Sequence, residues 1–352
     1  MFNSLQAGRG VAALMVIFYH LNGSIWGKAK YFSDRFFRPF GFGHAGVQFF
    51  FVLSGYIIFH VHQEDIGRSS GLLSFLRKRF VRIYPIYWIV LASILPFYFY
   101  LPGLGKGDET SLSQILTSVC LLPYPAEPIL SVAWTLRHEI LFYAIFSVGI
   151  LSMPTGIAVM FLWQALCVST LLITYTVGPV QFPFDFIASP NNLLFGFGMG
   201  VAALAQRPCG KVLASLTALA GVIIFVATGL HEVYSRPSPT HAVYSLLFGF
   251  GSALVVLGLV LLEQSSRLKT PSWLVALGGA SYTLYLVHFP LFSLGAKAIL
   301  AFGLKELVPE ILLFAGLLLL VLLLSWLIHQ NVERPVLSAL TPRSKLAPAE
   351  AA

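Results

Sequence analysis

The chain has 352 residues, 57% of them hydrophobic and only 10% charged, with a formal net charge of +8. Soluble domains carry about 25% charged residues, so this composition excludes an ordinary soluble fold and describes a polytopic membrane protein. The positive charge falls in loops between apolar runs, which points to membrane topology and away from nucleic acid.

A membrane-crossing helix needs about 20 mostly apolar residues. By that measure the chain is expected to be all-α, with about ten spans: 5–24, 43–62, 83–101, 131–151, 156–177, 191–205, 212–230, 243–262, 279–300 and 309–330. Arg9 and Gly10 interrupt the first apolar run and no small-residue cleavage site follows, so span 1 is expected to be retained. Lys and Arg favour one set of short loops, including Arg68, Arg77, Lys78, Arg79, Arg82, Arg207, Lys211, Arg334 and Lys345. That bias places both termini in the cytoplasm. The expected organisation is a single membrane domain over 1–335 and a disordered cytoplasmic tail over 336–352. No internal repeat is visible, and Cys120, Cys167 and Cys209 have neither metal nor redox spacing.

In the first span, eleven residues at 100° each return Arg9 and His20 to nearly one face, about 16 Å apart. Ionisable groups in hydrocarbon are costly and usually face a cavity or pathway, so the pair marks a polar channel along this helix. The alternative is that Arg9 snorkels to one surface while His20 caps the other end. The following loop, from Trp26 through Lys28, Lys30 and Arg35 to Arg38, is basic and aromatic. It suits an acidic polysaccharide, the pyrophosphate of a lipid-linked sugar, or an interfacial anchor.

Span 2 places Gln48 and Ser54 among phenylalanines, and Ser54-Gly55 permits close helix approach. Packing alone is the competing explanation. Before span 3, Arg77, Lys78, Arg79 and Arg82 precede Ile83-Tyr84-Pro85. Arg79 and Arg82, at i and i+3, share a helical face suited to a phosphorylated cytosolic ligand or to anionic lipid heads. The same cations also serve as a plain topology signal.

Span 4 opens with Trp134, Thr135, Arg137, His138 and Glu139. Glu139 is expected at the outer third of the span, partnered by Arg137, His138 or His20, because a carboxylate beside a histidine orients the ring. A structural ion pair is the other reading. In span 9, Ser281, Tyr285 and His288 form a stripe at i, i+4 and i+7, so His288 either binds substrate or bridges helices. Phosphate loops, metal-ligand spacings and nucleophile elbows are absent from the sequence.

Together these motifs resemble the acyltransferase-3 family of bacterial integral-membrane O-acyltransferases. The resemblance rests on Arg9-x10-His20, Phe-Phe-x-x-x-Ser54-Gly55-Tyr56, Arg79-x-x-Arg82-Ile-Tyr84-Pro85 and Ser131-x-x-Trp134-Thr135-Leu136-x-x-Glu139-x-x-Phe142-Tyr143. Ser281-Tyr282-Thr283-Leu284-Tyr285-Leu286-x-His288-x-Pro290 and Glu333-Arg334-Pro335 complete it, in family order. Thr135 stands where serine is common in the family and keeps the hydroxyl.

The resemblance implies a multi-pass protein of the bacterial inner membrane. It would move an acyl group, acetyl above all, from cytoplasmic acetyl-CoA to a sugar hydroxyl of a glycan or lipid-linked acceptor, without a metal. It makes His20 the essential histidine, with Arg9 and Glu139 as its support. Arg79 and Arg82, flanked by Arg77, Lys78 and Tyr84, would hold acyl-CoA, and Ser54, Gln48, Trp134, Tyr285 and His288 are the expected substrate contacts. A rival from another class is a proton-coupled transporter or glycolipid flippase with Arg9, His20 and Glu139 as a relay. The lack of repeats counts against it.

Overall fold

The computed structural model describes residues 2–26, 36–101, 105, 107–207, 209–235, 241–265 and 268–341. Most of the basic loop after Trp26 (27–35) and the end of the tail (342–352) therefore lie outside the described residues. Helix α1 (Asn3–Tyr19) runs directly into a π-helical segment, His20–Trp26. A 3₁₀ stretch, Arg38–Ala45, leads into α2 (Gly46–His62). The long α3 (Leu72–Tyr100) is followed by the short α4 (Leu112–Val119) and by α5 (Trp134–Leu151). Then come α6 (Met153–Thr176), the single turn α7 (Phe184–Ile187) and α8 (Leu193–Leu204). Helices α9 (Lys211–Tyr234), α10 (His241–Ser265) and α11 (Ser272–Ala301) follow. The chain closes with α12 (Leu304–Leu307), α13 (Glu310–Ile328), a π-helical turn His329–Glu333 and α14 (Arg334–Leu340).

The fold is all-α, with no strand among the described residues. Eight described helical segments are long and apolar enough to cross a membrane. Helices α1 and α5 are the two expected spans outside that set, and they carry Arg9, Arg137, His138 and Glu139. The segment containing α2 is 67% buried, whereas those of α6 and α9 are only 22% buried, which makes α2 central and the other two peripheral. Helix α3 starts well before residue 83, where its span was expected, and Arg79 and Arg82 ride on it as a continuous helix. Helix α14 likewise keeps the chain helical to Leu340, past the boundary expected at 335.

Around the centre, α1 packs on α11 and α2, and α2 packs on α8. Small residues permit these approaches. A Cβ on Gly55 would sit 2.1 Å from the Phe195 carbonyl oxygen, and one on Gly278 only 1.8 Å from that of Gln6. Gly278 therefore sets the α1–α11 distance. Gly278→Val is expected to force the helices apart and destabilise the protein by about 1–3 kcal/mol. Thermal unfolding in detergent reads this, and an unchanged Tm would contradict it.

Candidate active site

A cavity of about 400 Å³ lies among α1, α2, α3, α5 and α11 at the basic end of the bundle. Arg9, Ser54, Lys78, Arg79, Arg82, Glu139, Tyr143, Ser281, Tyr282 and Tyr285 line it. Arg79 lies 5.9 Å from the ring centres of both Phe75 and Tyr143, held by cation–π contact. Its Nε is buried without a hydrogen-bond partner among the described residues. A buried donor with no acceptor is unfavourable.

Arg82 stands over Tyr282 at 5.2 Å and donates from Nη1 to Glu333 Oε1 at 3.4 Å. Glu333 is fully buried and also accepts from Thr283 Oγ1 at 2.6 Å, with His329 Nδ1 at 2.6 Å. Two hydrogen bonds and a cation thus satisfy a carboxylate that burial would otherwise penalise. Glu333→Ala is expected to destabilise the protein by about 3 kcal/mol, the low end for a buried pair, because Arg82 remains one-third exposed. Thermal unfolding checks this; a loss below about 1 kcal/mol, typical of surface pairs, would contradict the anchoring role.

Glu139 accepts from Ser54 Oγ at 3.1 Å and from the Tyr143 hydroxyl. This corrects its expected partners. It faces the basic-end cavity, and neither Arg137, His138 nor His20 is its partner. Arg137 donates to the Ala126 carbonyl at 2.9 Å, and His138 Nδ1 meets Asn192 Oδ1 at 2.8 Å. Arg9 shares the cavity with Glu139 and donates to Gln6 Oε1 at 3.1 Å.

Further along α1, His20 opens the π-helical segment, a distortion that frequently marks functional positions. Its partner is His288, whose Nε2 lies 3.0 Å from His20 Nδ1. The His288 Nδ1 lies 3.0 Å from the Leu284 carbonyl, which can only accept, so that nitrogen carries the proton. In neutral rings the His288 Nε2 is then bare and accepts from His20 Nδ1–H, which also reaches the Val16 carbonyl at 3.1 Å. The consequence is a bare His20 Nε2, a free base without a protein partner among the described residues. His288 is fully buried and His20 only partly so.

Beyond the pair lies a second cavity of about 400 Å³, lined by Ser24 and Ile25 after α1, by Phe289, Pro290 and Ser293 on α11, and by Ser131 before α5. Three helices fix the order. On α1, Arg9 precedes His20 and then Ser24; on α11, Tyr285 precedes His288 and then Phe289; on α3, Arg82 and Tyr98 line opposite cavities. The two histidines thus lie between a basic cavity and a far cavity.

Several expected contacts fall outside both cavities. Arg77 is exposed, and Tyr84 stacks on Phe80 at 4.9 Å while donating to the Cys120 carbonyl at 3.0 Å. Gln48 meets Ser245 Oγ at 3.3 Å and bridges α2 to α10. Trp134 packs edge-on against His138 at 5.6 Å. Glu333, Tyr143 and Tyr282 have the opposite fate: each stood in a sequence motif without an assigned role and belongs to the basic-cavity network.

Comparison with known proteins gives the architecture a family. An acyltransferase-domain model, that of the acyltransferase-3 family, matches residues 2–330. The exopolysaccharide production protein ExoZ of Rhizobium meliloti is 30% identical over 288 residues, covering 77% of this chain and 84% of ExoZ. Protein 2 in the picA locus of Rhizobium radiobacter is 27% identical over 42% of this chain and 81% of its own length. The peptidoglycan O-acetyltransferase OatA of Listeria monocytogenes is 33% identical over 30% of this chain and 15% of its own length. No solved structure matches the chain. A family model spanning nearly the whole sequence, on a multi-pass helical bundle, places this chain in the acyltransferase-3 family as a membrane enzyme of the O-acetyltransferase type.

Proposed function

We propose that the protein moves an acetyl group from acetyl-CoA to a sugar hydroxyl of an exported or cell-surface glycan across a bacterial inner membrane. The observation that carries this reading is the histidine pair between two cavities, one walled by arginines. The arginine end faces the cytoplasm, where acetyl-CoA is made, and all ten expected spans cross the bilayer with both termini inside. The names of ExoZ and OatA supply the glycan and the acetyl group by analogy.

Arg79 and Arg82, with Lys78 beside them, pair with the CoA phosphates. Arg79 has an unpaired donor for that purpose, and Glu333 fixes Arg82. The pantetheine arm runs past Ser54, Glu139 and Tyr285 towards His20, with Arg9 balancing Glu139 in the cavity wall. The acceptor hydroxyl reaches the thioester from the far cavity. Its oxygen bonds to the carbonyl carbon as its proton passes to His20 Nε2; the C–S bond then breaks and the proton goes to the departing CoA sulfur. A positioned base of this kind contributes roughly 10²–10⁴-fold.

The test is to incubate purified protein with radiolabelled acetyl-CoA and a glycan acceptor. Label on the glycan matched by released CoA supports the reading. Substrate movement without CoA release would replace it with the transporter.

A further inference from the structure

Resting on that reading, we infer that Ser281 on α11 binds the pantetheine arm of the donor, its hydroxyl hydrogen-bonded to the amide farther from the sulfur. The starting observation is an orphaned polar atom. Ser281 lines the basic cavity and is only 1% exposed, and its Oγ has no hydrogen-bond partner among the described residues. A buried serine on a membrane helix ordinarily returns its hydroxyl to the carbonyl four residues back. Ser325 on α13 does so, donating to the Val321 carbonyl at 2.6 Å. Ser281 makes no such bond.

Its surroundings make the exception specific. Every other hydroxyl in the described lining of the basic cavity is engaged. Ser54 and Tyr143 donate to Glu139, and Tyr282 donates to the Ile83 carbonyl at 2.7 Å. Thr135 and Tyr285 both reach the Val132 carbonyl at 3.1 Å, and Thr341 donates to the Leu337 carbonyl at 2.7 Å. Ser281 thus brings an unused hydroxyl to the cavity wall, a cost relieved when a polar ligand arrives.

Distance selects the group on the ligand. From Ser281 to His288 the helix rises about 10 Å, and His288 lies 3.0 Å from His20, where the thioester reacts. Tyr285 stands between them on the same face, its ring 5.9 Å from that of His288, so the wall is continuous. In an extended acyl-CoA the nitrogen of the second amide is eight bonds from the thioester carbon, also about 10 Å. The first amide nitrogen lies only about 5 Å away, and the nearest phosphorus about 17 Å. An arm running along α11 therefore brings the second amide level with Ser281, and the phosphates pass beyond it to Arg79 and Arg82. A secondary amide carries one donor and one acceptor, and a hydroxyl can meet either. A hydrocarbon tail in the same place would leave the hydroxyl unpaired.

Two probes test this by calorimetry on the full-length protein in detergent: acetyl-CoA, and 3′-phosphoadenosine 5′-diphosphate, which keeps the donor's phosphates and has no arm. The wild type is expected to bind acetyl-CoA the more tightly. Ser281→Ala should weaken acetyl-CoA binding by roughly three- to tenfold, the loss of one hydrogen bond, and leave the nucleotide unchanged. Ser281→Cys, close in size and a weak hydrogen-bonding group, should give the same pattern if the first variant folds poorly. An equal loss for both probes would put Ser281 at the phosphates or in the packing. No loss for either probe in the folded variants would leave only a water on the hydroxyl, and equal wild-type affinity for the two would give the arm no site. Each of these results overturns the inference and leaves the donor assignment standing. A wild type that binds neither probe removes the donor assignment, and this inference with it.

Discussion

His20→Ala is expected to lower acetyl transfer by roughly 10²–10⁴-fold while leaving acetyl-CoA affinity within about twofold, since no binding contact is lost. The reason lies in the proton positions of the pair. The Leu284 carbonyl fixes the His288 tautomer, His288 fixes His20, and the only ring nitrogen left bare is His20 Nε2. His20 is absent from the wall of the basic cavity, so its loss should not touch the CoA phosphates. Single-turnover transfer and equilibrium binding on one preparation separate the two effects. Full activity in the variant would end the assignment, and a parallel fall in affinity would move His20 into the donor site.

The second large effect concerns the donor. Arg79→Ala/Arg82→Ala is expected to weaken acetyl-CoA binding by roughly a hundredfold or more, since each hydrogen bond between charged groups is worth about 1.5–3 kcal/mol. The single variants should differ in kind. Arg79 touches aromatic rings and no carboxylate among the described residues, so Arg79→Ala should lose affinity with little change in stability. Arg82→Ala strips Glu333 of its cation and should lose both. Calorimetry with acetyl-CoA, beside thermal unfolding, reads the pattern; an unchanged dissociation constant in the double variant would remove the arginines from the donor site.

Much of this was legible in the sequence, and the failures have a geometric cause. Long apolar runs fix helices because a bilayer leaves the backbone no other partner. Arg79 and Arg82 line one cavity because three residues make nearly one turn. Arg77 and Tyr84 turn away from that cavity by the same arithmetic. Arg77 sits two residues from Arg79, and Tyr84 two from Arg82, about 200° around the helix in each case. Their neighbours are solvent and the chain around Cys120.

Periodicity also says which face a residue shares but not which helix it meets. Glu139 was therefore expected beside Arg137, His138 or His20 when its partners are Ser54 and Tyr143. The true partner, His288, lies 268 residues away in sequence, beyond any local pattern. Glu333 stood visible in Glu333-Arg334-Pro335, but nothing local joins it to Arg82, 251 residues earlier.

In the proposed mechanism, donor and acceptor approach the histidine pair from opposite sides of the membrane. Sealed proteoliposomes test it directly, with protein oriented by affinity capture, membrane-impermeant acetyl-CoA on the face bearing Arg79 and Arg82, and the glycan acceptor on the other face. Acetylated glycan should form in this arrangement, with CoA released on the donor face, and it should fail to form when the two compartments are exchanged. Product only when both substrates share one face would contradict a path through the bundle at His20.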